Sequence, residues 1–344
     1  MAGLDVFGSD AFSMFELTSA LNKVPHVPRQ LGQLPIFTPK PVRTQLVAVE
    51  QVDNTLTIIP TTPRGAPPSP AAKDLRSIRD FRTVRIAQRD TIWASELQGI
   101  RQFGNLSELA QVQDETLSRL LNLRNNIEAT HENMRLGAIQ GIVYDSDGST
   151  VIRNWFTEFG ISQPAEIDFD LDNGSPASGA VRKLCNQVVR AIKRAAKGAW
   201  AEGQSYVMAV CGDTFFDQLV AHSEIRGTYL NQQQAAELRG PVGAVFESVV
   251  YGGIQFVNYR GTDDGTSVAV GTTKAKFFPV AAPGAFEIAL SPYEGFDFMN
   301  TPGLPWYAMT LPDTKRNQYV EVEVYSYPLP ICTRPEMLQS ARNT

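Results

Sequence analysis

The residues most able to do chemistry are few and scattered. Three histidines, His26, His131 and His222, stand far apart, and none falls in HExxH or another metal-ligand spacing. Three cysteines, Cys185, Cys211 and Cys332, are odd in number and lack CxxC spacing, which fits a reducing compartment better than a disulfide framework or a zinc site. Cys211 ends an apolar run and reads as a small core residue, not a nucleophile. No GxxxxGK[ST], GxGxxG or GxSxG pattern occurs. The one carboxylate cluster is DFDLDNGSPASG, with Asp168, Asp170 and Asp172 at alternate positions. Clustered carboxylates can hold a hard cation, but a calcium loop needs Gly sixth and an acid twelfth. Counted from Asp168 those places hold Asn173 and Gly179, so a solvated turn is the better reading. No catalytic residue, metal or cofactor is expected.

What remains is ionic. In LRSIRDFRTVRI, each of Leu75, Ile78, Phe81 and Val84 is followed by an arginine: Arg76, Arg79, Arg82 and Arg85. A period of three suits neither a clean strand nor a long helix; it predicts a turn of helix or a bulge leading into a strand over 81–87. A helix is predicted over 178–200, with Val181, Leu184, Cys185, Val188, Ile192, Ala195, Ala196 and Ala199 on its buried face. Its other faces carry Arg182, Lys183, Arg190, Lys193, Arg194 and Lys197 with no acid among them. Each basic set can be a solvated face, an ion-pair surface for a neighbouring subunit, or a contact for nucleic acid. A net charge of −5 argues against a general nucleic-acid binder and leaves room for local patches.

These groups must be positioned by the rest of the 344 residues, enough for two domains or one with long extensions. Hydrophobic content of 43% and charged content of 19% are ordinary for a folded protein. No apolar run is long enough to cross a bilayer, and residues 1–10 lack a signal-peptide pattern, so the expectation is a cytosolic protein or one assembled in cytosol. The longest element is a helix predicted over 105–140, where Leu109, Val112, Leu120, Leu123, Ile127, Met134 and Ala138 share one side. Asn105 or Ser107 can cap its start and Gly141 follows its end. At 1.5 Å per residue it would be roughly 50 Å long, and such a rod needs something laid against it.

Residues 1–43 read as an arm: one short helix over 11–21, then Pro25, Pro28, Pro35, Pro39 and Pro41, which forbid regular structure and favour extended chain. Leu31, Leu34, Ile36 and Phe37 cannot be buried by such a segment alone and must lie on its own subunit or a neighbour. Residues 44–60 give two β runs around Asp53–Asn54, PTTPRGAPPSP breaks the sheet, and 44–90 together resemble a long two-stranded loop that needs a surface to rest on. A short helix over 93–100 leads to the long helix, and Asp147–Gly148 marks a hairpin after it. Residues 164–315 read as a compact α/β block. It holds a buried strand at 205–212, a helix over 213–222, a hairpin around Gly252–Gly253, a strand at TSVAVGT after Asp264–Gly265, and short strands over 285–303. Val320, Val322 and Val324 alternate with Glu321, Glu323 and Tyr325 as in a half-buried strand, and 339–344 should fray.

Arm, arginine-bearing β loop, long helix, α/β insert and return strand follow in an order that resembles the major capsid proteins of tailed double-stranded-DNA bacteriophages, of the lambda major capsid protein E type. The stretches most similar to that family are PVRTQLVAVEQVDNTLTIIPTTPRG, VMAVCGDTFFDQLVAHSEIRGTYL and NQYVEVEVYSYPLPICTRPEMLQ. The resemblance implies an α+β fold of the Hong Kong 97 type. Its parts would be an N-terminal arm (1–43), an extended loop or E-loop (44–92), a peripheral domain (93–163) with its spine helix at 105–140, an axial domain (164–315), and a peripheral return strand with tail (316–344). It implies pentamers and hexamers tiling an icosahedral head around double-stranded DNA, with maturation by expansion and no catalytic residues. Contacts between subunits would be carried by Arg64, Lys73, Arg76, Arg79, Arg82, Arg85, Leu34, Ile36 and Phe37. Scaffold, portal and decoration proteins would be separate partners, DNA would be touched weakly and without sequence preference, no membrane is involved, and assembly would take place in host cytoplasm before the virion forms. Lys73 lies near the loop, but no Asn is identified as its crosslinking partner, so no such bond is expected. An encapsulin-type nanocompartment shell, a tail or baseplate component, and a metal-dependent hydrolase using the three aspartates are the competing readings.

Overall fold

The computed structural model describes residues 12–24, 30–52, 76–99, 108–231, 248–259, 261 and 269–343. The N-terminal half gives α1 (Met14–Lys23), α2 (Gln30–Gln33), β1 (Thr38–Pro41), β2 (Leu46–Val52), β3 (Arg76–Arg82), β4 (Ile86–Trp93), α3 (Ala94–Gly99) and α4 (Glu108–Gln140). The middle gives β5 (Ile142–Tyr144), β6 (Val151–Asn154), α5 (Trp155–Phe159), β7 (Ile167–Asp168), α6 (Ala180–Ala195), β8 (Tyr206–Cys211), α7 (Asp213–Ala221) and α8 (Ser223–Asn231). Then follow β9 (Ser248–Tyr251), β10 (Ile254–Asn258), β11 (Lys274–Val280), β12 (Phe286–Leu290), β13 (Tyr307–Pro312), β14 (Tyr319–Ser326), β15 (Pro328–Cys332) and β16 (Gln339–Arg342).

The long helix forms as its periodicity demands. Val112, Leu120, Leu123, Ile127, Met134 and Ala138 are all buried, and the helix ends where Gly141 turns left-handed at φ 87°. Its apolar side covers the three-stranded sheet β13-β14-β4. Along β14 the valines at 320, 322 and 324 point into that contact while Glu321 and Glu323 are half-exposed. Strand β13, read from sequence as part of the compact block, is thus a sheet neighbour of β14.

A six-stranded mixed sheet, order β7-β16-β11-β8-β10-β9, organises the other half. β8 is buried from Val207 to Cys211 and lies parallel to β10 and antiparallel to β11. α6 buries Val181, Cys185, Val188 and Ile192 in the same core, and stops short of Trp200 because Lys197 (φ 43°) and Gly198 (φ 92°) leave the helical region. A third sheet, β1-β12-β15, and the hairpins β2-β3 and β5-β6 complete the fold.

Four expectations need correction. The C-terminal residues do not fray: β16 lies inside the six-stranded sheet, antiparallel to β11 and parallel to β7, with Ser340 and Ala341 buried. Its mixed side chains, Gln, Ser, Ala and Arg, carry no apolar alternation, yet an interior strand is held by backbone bonds on both edges. The prolines of the arm do not forbid regular structure either. Pro39 and Pro41 sit at alternate places in β1, an edge strand, where their missing N–H groups face away from β12. The arginine repeat is a strand, not a turn or bulge: β3 pairs with β2 from Leu46↔Arg82 to Val52↔Arg76, and a break at 83–85 precedes β4. Finally, KAKFFPV forms the central strand β11, whereas the end of TSVAVGT, residues 269–272, is irregular chain and turn, and 262–268 lie outside the described residues. The expected Asp53–Asn54 turn also lies outside them.

Candidate assembly surfaces

Among the described residues, the cysteines and histidines singled out above are buried in the fold, and His26 lies outside those residues. Burial pushes the Cys185 and Cys332 thiols up to about 12 and the Cys211 thiol higher still, so none is a ready nucleophile. Asp168 lies 3.9 Å from Arg342, and Asp170 accepts from the Asn173 amide at 2.8 Å. Among the described residues no three His, Cys, Asp or Glu converge on a metal-sized site. His131 is buried, stacked on Trp306 at 4.9 Å and within 3.0 Å of the Ser326 hydroxyl. His222 is buried at the end of α7, where its Nδ1 accepts the Glu224 N–H.

The β2-β3 ribbon has two unlike sides. Because a strand alternates sides at every residue, the three-residue arginine repeat sends Arg79 and Phe81 inward and Ile78 and Arg82 outward. Val47, Val49 and Phe81 are buried, with Phe81 edge-on to Trp155 at 5.2 Å. The Arg79 guanidinium lies 5.3 Å from the Phe159 ring and donates to the Phe159 carbonyl at 3.5 Å. The other side shows Leu46 and Ile78, 51% and 68% exposed, with Arg82 beside Leu46 in the register. Arg85 is engaged within the chain, 3.0 Å from Glu294 and 5.1 Å from the Tyr325 ring. Arg76 opens β3, while Arg64 and Lys73 lie outside the described residues. Leu34, Ile36 and Phe37, expected at contacts between subunits, pack on the chain's own core, with Phe37 edge-on to Phe286 at 5.3 Å. Ile36 is buried within one copy, whereas Leu34 and Phe37 are half-buried and keep part of their surface exposed.

What holds the N-terminal segment in place escaped the sequence reading. Arg124, on the buried side of α4, donates to the carbonyls of Leu21 at 2.8 Å and Val24 at 3.1 Å, satisfying the C-terminal end of α1. Two turns along, Glu132 accepts the N–H groups of Leu31 at 2.7 Å and Gly32 at 3.3 Å, at the start of α2. Arg135 bridges Glu132 at 3.5 Å and Glu128 at 2.5 Å. Arg135 and His131 hold the Glu128 carboxyl down at about 2 against the opposing effect of burial, whereas burial dominates at Glu132 and raises it. The signal was present in the spacing of Arg124, Glu128 and Glu132, four residues apart beside the apolar stripe.

On α6 the cations divide. Arg182 lies over the Tyr251 ring at 5.5 Å, Lys193 pairs with Glu202 at 3.3 Å and sits over Trp200, and Lys197 is 3.9 Å from Glu336. Lys183, Arg190 and Arg194 instead line a groove of about 980 Å³. The chain thus presents no assembled reaction centre among its described residues, and its distinctive surfaces are a half-apolar ribbon and a basic groove.

Comparison with known proteins bears on what such surfaces serve. The model of the family described as phage major capsid protein E matches residues 13–343. A major capsid protein of Salmonella phage Felix O1 is 25% identical over 363 aligned residues, covering 96% of each chain. A second, from Pseudomonas phage KPP10, is 26% identical and covers 90% of this chain and 91% of that one. The crystal structure of a protein assigned as a prophage capsid protein, from E.coli CFT073, superposes with a TM-score of 0.58 at 14% identity, covering 96% and 99% of the two chains. The capsid structure of Cyanophage P-SCSP1u gives 0.50 at 10% identity, covering 93% and 90%. At such identities the structural likeness speaks for the fold, an α+β capsid fold of the Hong Kong 97 type.

Proposed function

This chain belongs to the phage major capsid protein E family, and from that premise we propose how its surfaces build a shell. It is a structural protein of the virion, not an enzyme, and it assembles from many copies of itself. The encapsulin-type and hydrolase readings are not favoured by the family match. No helix among the described residues is long and apolar enough to cross a membrane.

The copies form pentamers and hexamers that close an icosahedral head around double-stranded DNA, with scaffold, portal and decoration proteins as separate partners and assembly in the host cytoplasm. Residues 44–92 act as the extended loop, 93–163 with α4 as the peripheral domain, 164–315 as the axial domain, and 316–344 return to the peripheral side. The sheet memberships of β13 and β16 favour exchanging those two strands across the last boundary.

The observation that carries this reading is the two-sided ribbon. A hairpin with Val47, Val49 and Phe81 on its own body still leaves Leu46 and Ile78 bare beside Arg82. An isolated two-stranded ribbon is marginal, and a second copy laid over the bare side supplies the missing burial. Contacts of this head-to-tail kind repeat around rings and close. Electron microscopy of the purified protein, alone and with its neighbouring gene products, tests the reading. Closed shells are expected, and deletion of 64–73 should leave soluble subunits that form none. Normal shells from that deletion would remove residues 64–73 from the assembly.

A further inference from the structure

Lys183, Arg190 and Arg194 are exposed and have no ion-pair partner among the described residues. They fall at i, i+7 and i+11 of α6, hence along one side, over roughly 16 Å. All three line the groove of about 980 Å³, in which Leu184 and Ala191 supply apolar surface between the cations; Asp170, bonded to the Asn173 amide, also lines it, and the three cations outnumber that one acid. Such a groove asks for an anionic occupant with an apolar side chain. Nucleic acid fits it poorly: the rings lining it are Phe169 and His222, both buried, so no base can stack, and the chain carries −5 overall.

A matching surface exists on the same chain. On α7, Asp213 and Asp217 are exposed one turn apart, with no ion-pair partner among the described residues, and Val220 is 40% exposed on the following turn. α7 has nine residues, about 13 Å, and fits the length of the basic row. Laid antiparallel on α6, Asp213 meets Arg194, Asp217 meets Arg190, and Val220 reaches toward Leu184. That direction also sets the positive N-terminal end of α7 against the negative C-terminal end of α6.

Among the described residues, neither set of charges has an ion-pair partner within its own copy. We infer that the acidic side of α7 on one copy seats in the α6 groove of the next, a head-to-tail contact in which every copy both gives and receives. The inference rests on the shell reading above.

Three variants test it: Arg190→Glu with Arg194→Glu, Asp213→Lys with Asp217→Lys, and the four changes combined. Shell yield is read by sedimentation and electron microscopy, and folding by thermal melting of the unassembled subunit. Each reversal should lower shell yield at least ten-fold at an unchanged melting temperature, and the combination should return it to within two-fold of wild type. Undiminished yield from either reversal, or no recovery in the combination, overturns the contact. If a reversal unfolds the subunit, Arg190→Gln with Arg194→Gln takes its place and must lower the yield and weaken its dependence on salt; failure to do so also overturns the contact. Binding of a ten-nucleotide dT strand that the arginine reversal abolishes would give the groove to nucleic acid instead. Wild-type protein that forms no shells sinks the shell reading, whereas shells indifferent to these variants sink this contact alone.

Discussion

The six-stranded sheet and the junction between α4 and the N-terminal segment bury side chains by opposite means. Around β8 and β11 the interior is apolar: Val207, Ala209, Phe277, Phe278, Ile254 and Phe256 are all at most 1% exposed. Stabilisation there is spread over area and depends little on direction. Under α4, Arg124, Glu128, His131 and Glu132 are buried beside Leu120 and Ile127, and the contacts they make are directional and charge-assisted. The sheet should therefore yield gradually to substitution, while the junction fails as soon as one partner is withdrawn. A subunit whose terminal segment must end in one place on a long helix gains specificity from the second arrangement. Area alone would let α2 slide.

The contrast can be tested from its strongest consequence downward. Leu120→Asp puts an unpaired charge where the wild-type residue is fully buried, and should cost roughly 4 kcal/mol or more, read as loss of soluble protein. Unchanged thermal stability would break the assignment of the buried side of α4. Glu132→Ala strands the two α2 amides, leaves Arg135 to Glu128 alone, and should cost about 3 kcal/mol, with hydrogen exchange rising first at Leu31 and Gly32. Protection retained at those amides would show that apolar packing, not charge, holds α2.

The acid limb of stability comes next. The folded Glu128 carboxyl is held at about 2 against an ordinary 4.5, so its contribution is complete above 4.5 and is lost as pH falls toward 2. That amounts to roughly 3 kcal/mol. Glu132 works the other way. Its folded value is raised, so stability drains as pH climbs from 4.5 through that raised value. Denaturant titrations across pH should show a rise and then a decline, with Glu128→Gln flattening the first and Glu132→Gln the second. The mildest test is Ile254→Val in the sheet, expected to cost only about 1 kcal/mol. A loss as large as that of Glu132→Ala would erase the distinction between the two regions.

Periodicity alone determined a good deal. It set the buried side of α4, the alternation of Val320, Val322 and Val324, the apolar strand β8 and the hairpins at Asp147–Gly148 and Gly252–Gly253, because these depend on neighbours three to five residues away or on repeats of two and 3.6. The order of such elements also carried the family resemblance. Only the tertiary structure decided the fate of residues whose partners lie far off in the chain. β16 is a strand because β11 and β7 flank it, β1 tolerates two prolines because it takes an edge, and Arg79 turns inward because Phe159 waits there. Arg124 and Glu132 are buried because they meet the unpaired ends of two short helices a hundred residues upstream. A side chain's environment is set by what packs against it, and local spacing records only the part of that environment that the neighbouring turns of chain supply.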